Sequence, residues 1–173
     1  MTEITRDYVQ LMPSSRFIGM KYGDEDRVNG GFGEQWGSWF AADRFKPLEA
    51  LVDDEFRGAY EDADAYVGLM RWKENEPFEY WIGMFLPQDA VVPDGYGFID
   101  KPEDKLGVCW LRGTEPDIYG KEHLCAERLG KAGYEISQAA DGAWWFFERY
   151  VCPRFTEKDE AGQVILDICH YVK

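Results

Sequence analysis

The sequence predicts an α+β fold: two strand-helix-strand-strand modules in a pseudo-twofold arrangement, forming an antiparallel sheet with two main helices and a groove between them. Short runs dense in aromatic and β-branched residues alternate with polar turns that contain Gly or Pro. Two segments with helical spacing of apolar positions each precede a pair of such runs, so the order strand, helix, strand, strand occurs twice. At 173 residues the chain is expected to be one domain, 1–173, with modules of about 8–90 and 91–173.

In the first module, FIGMKY at residues 17–22 reads as a strand and the Gly-rich GDEDRVNGGFG as a loop. In EQWGSWFAADRF the apolar positions Trp36, Trp39, Phe40 and Phe45 approximate one helical face, and Pro47 can open a second short helix through Leu48, Leu51 and Val52. The acidic VDDEFRGAYEDADA reads as a solvated connection, since it lacks the spacing and glycine of an EF-hand loop. YVGLMRW and FEYWIGMFLP are two strands joined through the polar KENEP.

The second module repeats that order. GYGFIDKPEDKLGVCWLRG is a strand region interrupted by a polar turn. DIYGKEHLCAERLGKAG is a helix with Leu124, Cys125, Leu129 and Ala132 inward, Asp117 as its cap and Gly133 beyond its end. AWWFFERYVC and QVILDICHYV form the closing hairpin across PRFTEKDEAG. A cleft between two helices over a sheet is a common ligand site.

Lys and Arg number 19 against 33 Asp and Glu, a net charge of −14 that repels phosphate backbones and anionic lipid and favours cationic ligands. No basic arm or recognition-helix pattern is present, so nucleic acid is not an expected partner. The first residues lack a basic segment followed by a long apolar core, and no run approaches the ~20 apolar residues of a membrane span. A cytoplasmic protein without membrane association is expected.

Cys109, Cys125, Cys152 and Cys169 are widely spaced with no CxxC pair, which fits reduced, packed thiols better than a zinc site or disulfides. No metal or cofactor is expected. GFGEQWG resembles a dinucleotide loop, but Trp36 occupies the third glycine position and no strand precedes it. Walker A, HExxH and G-x-S-x-G patterns do not occur, and the two histidines, His123 and His170, read as structural or exposed.

The stretch WWFFERY, residues 144–150, sets a carboxylate among rings. Strand alternation puts Trp144, Phe146, Glu148 and Tyr150 on one face, with Trp145, Phe147, Arg149 and Val151 on the other. An unpaired buried charge costs several kcal/mol, so Glu148 needs a counterpart. One reading is a salt bridge to a neighbouring cation. The other is an aromatic cage for a flat cation, where cation–π attraction adds about 2 kcal/mol at a desolvated site. Trp39, Trp72, Tyr80 and Trp110 are further wall candidates, each of which also reads as core.

GFGEQWGSWF, FEYWIGMFLP, GYGFID, GVCWLRG and WWFFERYVCPRF with ILDICHYV, in this order over roughly residues 8–172, together resemble the GyrI-like small-molecule-binding domain family. That family is related to effector-binding domains of AraC-type and MerR-type regulators. The resemblance implies two strand-helix-strand-strand modules with a ligand groove between them, and a late-strand glutamate, here Glu148, that meets cationic aromatic compounds.

The resemblance further implies a stand-alone bacterial protein that senses or sequesters a hydrophobic, often cationic aromatic small molecule. Glu148 is then the charge partner, Tyr150 a hydrogen-bonding wall, and Trp39, Tyr80, Trp110, Trp144 and Phe146 stacking surfaces. Two alternatives follow from the same family. One is hydrolysis of cyclopropanoid or similar electrophilic genotoxins, with Glu148 and Tyr150 catalytic. The other is protein-protein inhibition of DNA gyrase.

Overall fold

The computed structural model describes residues 1–173. Strands β1 (Glu3–Met12), β2 (Ser15–Tyr22), β3 (Tyr66–Trp72), β4 (Glu79–Pro87), β5 (Gly97–Lys101), β6 (Asp104–Gly113), β7 (Trp144–Tyr150) and β8 (Val164–Val172) form one sheet. Their order is β1-β6-β8-β7-β3-β4-β2-β5, with antiparallel pairing throughout. Four helices accompany them: α1 (Gly33–Ala41), α2 (Lys46–Glu49), α3 (Asp54–Ala59) and α4 (Glu122–Lys131). The architecture is α+β, as expected.

The order is symmetric about the β7–β3 boundary. Each strand-helix-strand-strand unit places its first strand outermost and its last strand in the middle, giving β6-β8-β7 on one side and β3-β4-β2 on the other. The central pair therefore comes from corresponding positions of the two units. That brings β7, with Glu148, beside β3, with Gly68 opposite it.

The outer strands make one bent ribbon. Met12 pairs with Asp104 and Ser15 with Lys101, so a single register runs from the β1–β6 pair into the β2–β5 pair. Pro13 and Pro102 sit in the two junctions, where a missing N–H interrupts the ladder and allows the bend. The Glu103 N–H instead donates to Ser14 Oγ at 3.0 Å. Because the ribbon links both ends of the strand order, the sheet curls, and its inner face packs Phe17 on Phe85 and Phe85 on Phe147, with ring centroids 5.1 Å apart in each case.

The inner face also holds a buried ionic cluster. Arg149 and Asp167 are fully buried, and Arg149 Nε donates to Asp167 at 2.8 Å while its other nitrogens reach Asp62, Gln10 and Tyr60 at 3.2, 2.7 and 3.0 Å. Arg154 bonds the same Asp167 from a half-buried position. Every member is satisfied from β1, β7, β8 or the segments around α3, which is the condition for keeping such a cluster in a core.

Three elements differ from expectation. β1 was not anticipated, because EITRDYVQLM is rich in charge and largely exposed at an edge. The acidic segment after Val52 contains α3, capped by Asp53, whose Oδ1 accepts from the Phe56 N–H at 2.8 Å. Helix α4 starts at Glu122 rather than near Asp117. Residues 114–120 turn instead, and the Asp117 carboxylate accepts from Thr2 Oγ1 at 2.8 Å. Gly133, at φ +91°, does end α4. No helix is long and apolar enough to cross a membrane.

Candidate functional site

A cavity of about 1000 Å³ opens on the outer face of the sheet, between α1 and the loop that leads into α4. Its floor is built by alternation: Tyr66 and Met70 from β3, Tyr80 from β4, and Phe146, Glu148 and Tyr150 from β7. These strands are adjacent, with β3 in the middle. At the centre of the floor β3 carries Gly68, and the Tyr80 hydroxyl crosses above it to donate to Glu148 Oε1. A β-carbon at Gly68 would fall 2.5 Å from that oxygen, so the contact requires glycine there.

Helix α1 forms one wall. Gly33, Trp36, Gly37 and Phe40 follow the i, i+3, i+4, i+7 spacing of a single face, and all four line the cavity. The two glycines leave space where larger side chains would close the groove. Trp36 Nε1 donates to the Tyr80 oxygen at 2.9 Å, which turns the Tyr80 hydrogen toward Glu148. The Trp36 ring meets Tyr150 edge-on at 4.9 Å, and Tyr150 meets Phe155 at 4.7 Å, giving a row of three rings.

The loop before α1 supplies a further stack. Phe32 lies parallel to Tyr80, with centroids 4.1 Å and planes 5° apart, and the Arg27 guanidinium lies 4.6 Å over Phe32. Arg27 is the one basic residue lining the cavity, and it is salt-bridged to Asp24 at 2.8 Å. From the opposite side come Glu115, Tyr119, Gly120 and Glu122, and Cys152, the exposed one of the four free cysteines, lies at the edge.

Glu148 is 7% exposed and forms no ion pair, although its sequence neighbour Arg149 has three buried partners on the other face. Burial pushes the Glu148 carboxyl up to about 7; the Tyr80 hydrogen bond lowers it, the Glu122 charge raises it, and the Tyr150 hydroxyl lowers it further. Burial and the nearby Glu148 carboxylate hold Tyr80 well above the ordinary tyrosine range, so it stays a donor. The site thus offers a buried carboxyl poised near neutrality, ringed by aromatic faces.

The structure brings Glu148, Tyr150, Tyr80 and Phe146 together in the cavity lining. Trp39, Trp110 and Trp144 lie elsewhere. Trp39 is fully buried beneath α1, donating to the Tyr22 hydroxyl at 2.9 Å, because it lies on the sheet-facing side of the helix, one position from Phe40. Trp110 stands on the other sheet face, level with Asp167, where it packs on Tyr8 and under Arg154. Trp144 shares the face of Glu148 but pairs with Trp72 at the far end of β7, past the cavity. Trp36 and Gly68 were missed; the glycines at 33 and 37 beside Trp36 were the available signal, since a helix face of that kind cannot fill a core.

No protein-family model matches the sequence, and no curated protein is similar to it. Solved structures are similar in fold. A Staphylococcus aureus MU50 protein, provisionally named a bacterial transcription regulation protein, superposes with a TM-score of 0.64 at 17% identity, over 97% of this chain and 98% of that one. SAV2435, solved with tetraphenylphosphonium bound, gives 0.67 at 16% identity over 98% and 94%. EcmrR, seen in a complex with DNA, gives 0.58 at 11% identity over 97% of this chain and 57% of its own. These likenesses show a shared fold, in agreement with the α+β arrangement of two strand-helix-strand-strand modules that the sequence predicts.

Proposed function

We propose that the protein binds hydrophobic aromatic cations in the cavity over β3, β4 and β7, with Glu148 as the charge partner, and so serves to sense or sequester them. The observation that carries this reading is Glu148 itself: a carboxyl buried among rings, hydrogen-bonded by Tyr80, with no cation of the protein within ion-pair range. A cationic ligand supplies the missing charge, and Trp36, Tyr150 and Phe155 supply ring surfaces. The bound tetraphenylphosphonium in SAV2435 supports the same class of ligand for this fold.

The test is titration with tetraphenylphosphonium and with neutral triphenylphosphine oxide, followed by calorimetry. The cation binds and the neutral compound binds much more weakly if the reading holds; equal affinity for both contradicts it.

A second reading is favoured by one feature. A buried carboxyl that titrates near 7 suits a general acid: Glu148 would protonate the leaving group as the strained bond of an electrophile such as a cyclopropanoid ring breaks and water forms the new bond to carbon, with Tyr150 steadying the carboxyl. A binder returns its ligand unchanged. Mass spectrometry after incubation with such an electrophile distinguishes the two, since hydrolysis with turnover yields a hydrated product.

A further inference from the structure

Three carboxylates line the cavity, on different walls. Glu148 is on the floor, Glu122 is half-buried in the first turn of α4, and Glu115 stands at the rim in the loop before it, accepting from the Tyr119 hydroxyl at 2.7 Å. None of the three is in an ion pair, whereas Arg27 is already matched to Asp24 and covered by ring contacts to Phe32 and Phe78. The helix N-terminus favours the Glu122 charge by only about 0.3–1 kcal/mol and does not neutralise it. The charges are within reach of one another: Glu122 acts on Glu148 and Tyr80, and Glu148 acts on Tyr119.

A single positive charge at Glu148 matches one of the three carboxylates and leaves Glu122 and Glu115 without a counter-ion of their own. The cavity lining also contains the row Trp36, Tyr150 and Phe155, an apolar surface suited to an aromatic body. About 1000 Å³ leaves room for a molecule with two heads. We propose that the preferred ligands are aromatic dications, one head at Glu148 on the sheet and the other at Glu122 and Glu115 beside α4. This rests on the proposed binding function and narrows it to a charge pattern.

The probes are bis(4-amidinophenoxy)alkanes with linkers of three to six methylenes. Each is compared by calorimetry with a monoamidine of the same skeleton, whose second ring is uncharged. At its best linker length the dication should bind about tenfold tighter, the scale of one further charge-assisted contact. The variant combining Glu115→Gln and Glu122→Gln should bring the dication down to the affinity of its monoamidine, and Glu148→Gln should weaken both. Dications that bind no tighter at any length, or an advantage that survives in the Glu115/Glu122 variant, overturn the inference while tight monoamidine binding leaves the proposed function standing. Failure of both compounds to bind overturns the inference, and the proposed function then stands or falls on tetraphenylphosphonium.

Discussion

Gly68 faces Glu148 across the β3–β7 ladder, and its missing side chain is the space in which the Tyr80 hydroxyl reaches the Glu148 carboxylate from β4. Two residues on non-adjacent strands meet because the strand between them has no β-carbon at one position. Gly68→Ala should therefore separate Tyr80 from Glu148, displacing two side-chain ends while the backbone stays in place. The expected result is at least about a tenfold weaker cation complex, with stability lowered by roughly 1–3 kcal/mol as for an overpacked site. Calorimetry paired with urea denaturation checks it, and unchanged affinity would mean that the Tyr80–Glu148 contact does not organise the site.

The pH dependence of stability follows from the raised carboxyl. Glu148 moves from 4.5 to about 7 on folding, so between those values the unfolded chain has lost a proton that the folded chain keeps. Stability contributed by this group falls as pH rises through that window and is at its lowest above it. Glu148→Gln removes the effect, and at about pH 8 the variant should be more stable than wild type by roughly 1–3 kcal/mol, with the difference vanishing near pH 4.5. A variant destabilised at pH 8 would show that the folded protein stabilises the Glu148 carboxylate, contradicting a charge kept at a cost.

Binding should be linked to the same proton. A cation favours the carboxylate, so its affinity should rise as pH increases through about 7, and at pH 6 complex formation should release a proton. Calorimetry in buffers of different ionisation enthalpy measures that release directly; a buffer-independent heat at pH 6 would show that Glu148 does not titrate with binding.

Trp36, rather than Trp39, should report on the ligand. It lines the cavity and bonds Tyr80, while Trp39 lies beneath the helix with its indole N–H on Tyr22. Quenching of tryptophan emission by a planar cationic dye should shrink markedly in Trp36→Phe and persist in Trp110→Phe. The reverse pattern would move the binding surface to the inner face of the sheet.

The buried cluster beside Glu148 should behave in the opposite way. Asp167→Asn leaves Arg149, fully buried, without the charge of its closest carboxylate, and should cost on the order of 3–5 kcal/mol in denaturation measurements. A near-neutral effect would show that Asp62 and the hydrogen bonds from Gln10 and Tyr60 suffice to hold Arg149.

Strand alternation was legible in WWFFERY because a period of two separates Glu148 from Arg149 without any knowledge of the partners. The doubled element order was legible for a similar reason, each strand being bounded by polar turns. Helical position was harder to read. Trp36, Trp39 and Phe40 all look like one apolar stripe, but a residue's rotation about the axis of α1 depends on how the helix sits on the sheet, and the structure assigns Trp36 and Phe40 to the cavity and Trp39 to the core. Trp110 was misplaced because its face follows from the β6–β8 register, which no local pattern encodes. Gly68 gave no signal at all: its role exists only once β4 and β7 flank β3.

The central claim is that Glu148 is kept buried to meet a positive charge brought by a ligand. Calorimetric titration of tetraphenylphosphonium into wild type and Glu148→Gln at about pH 8 tests it most directly. The account predicts a loss of roughly 1–3 kcal/mol in the variant, a five- to hundredfold weaker complex, with little change for neutral triphenylphosphine oxide. Equal affinity of the cation for both proteins would contradict it.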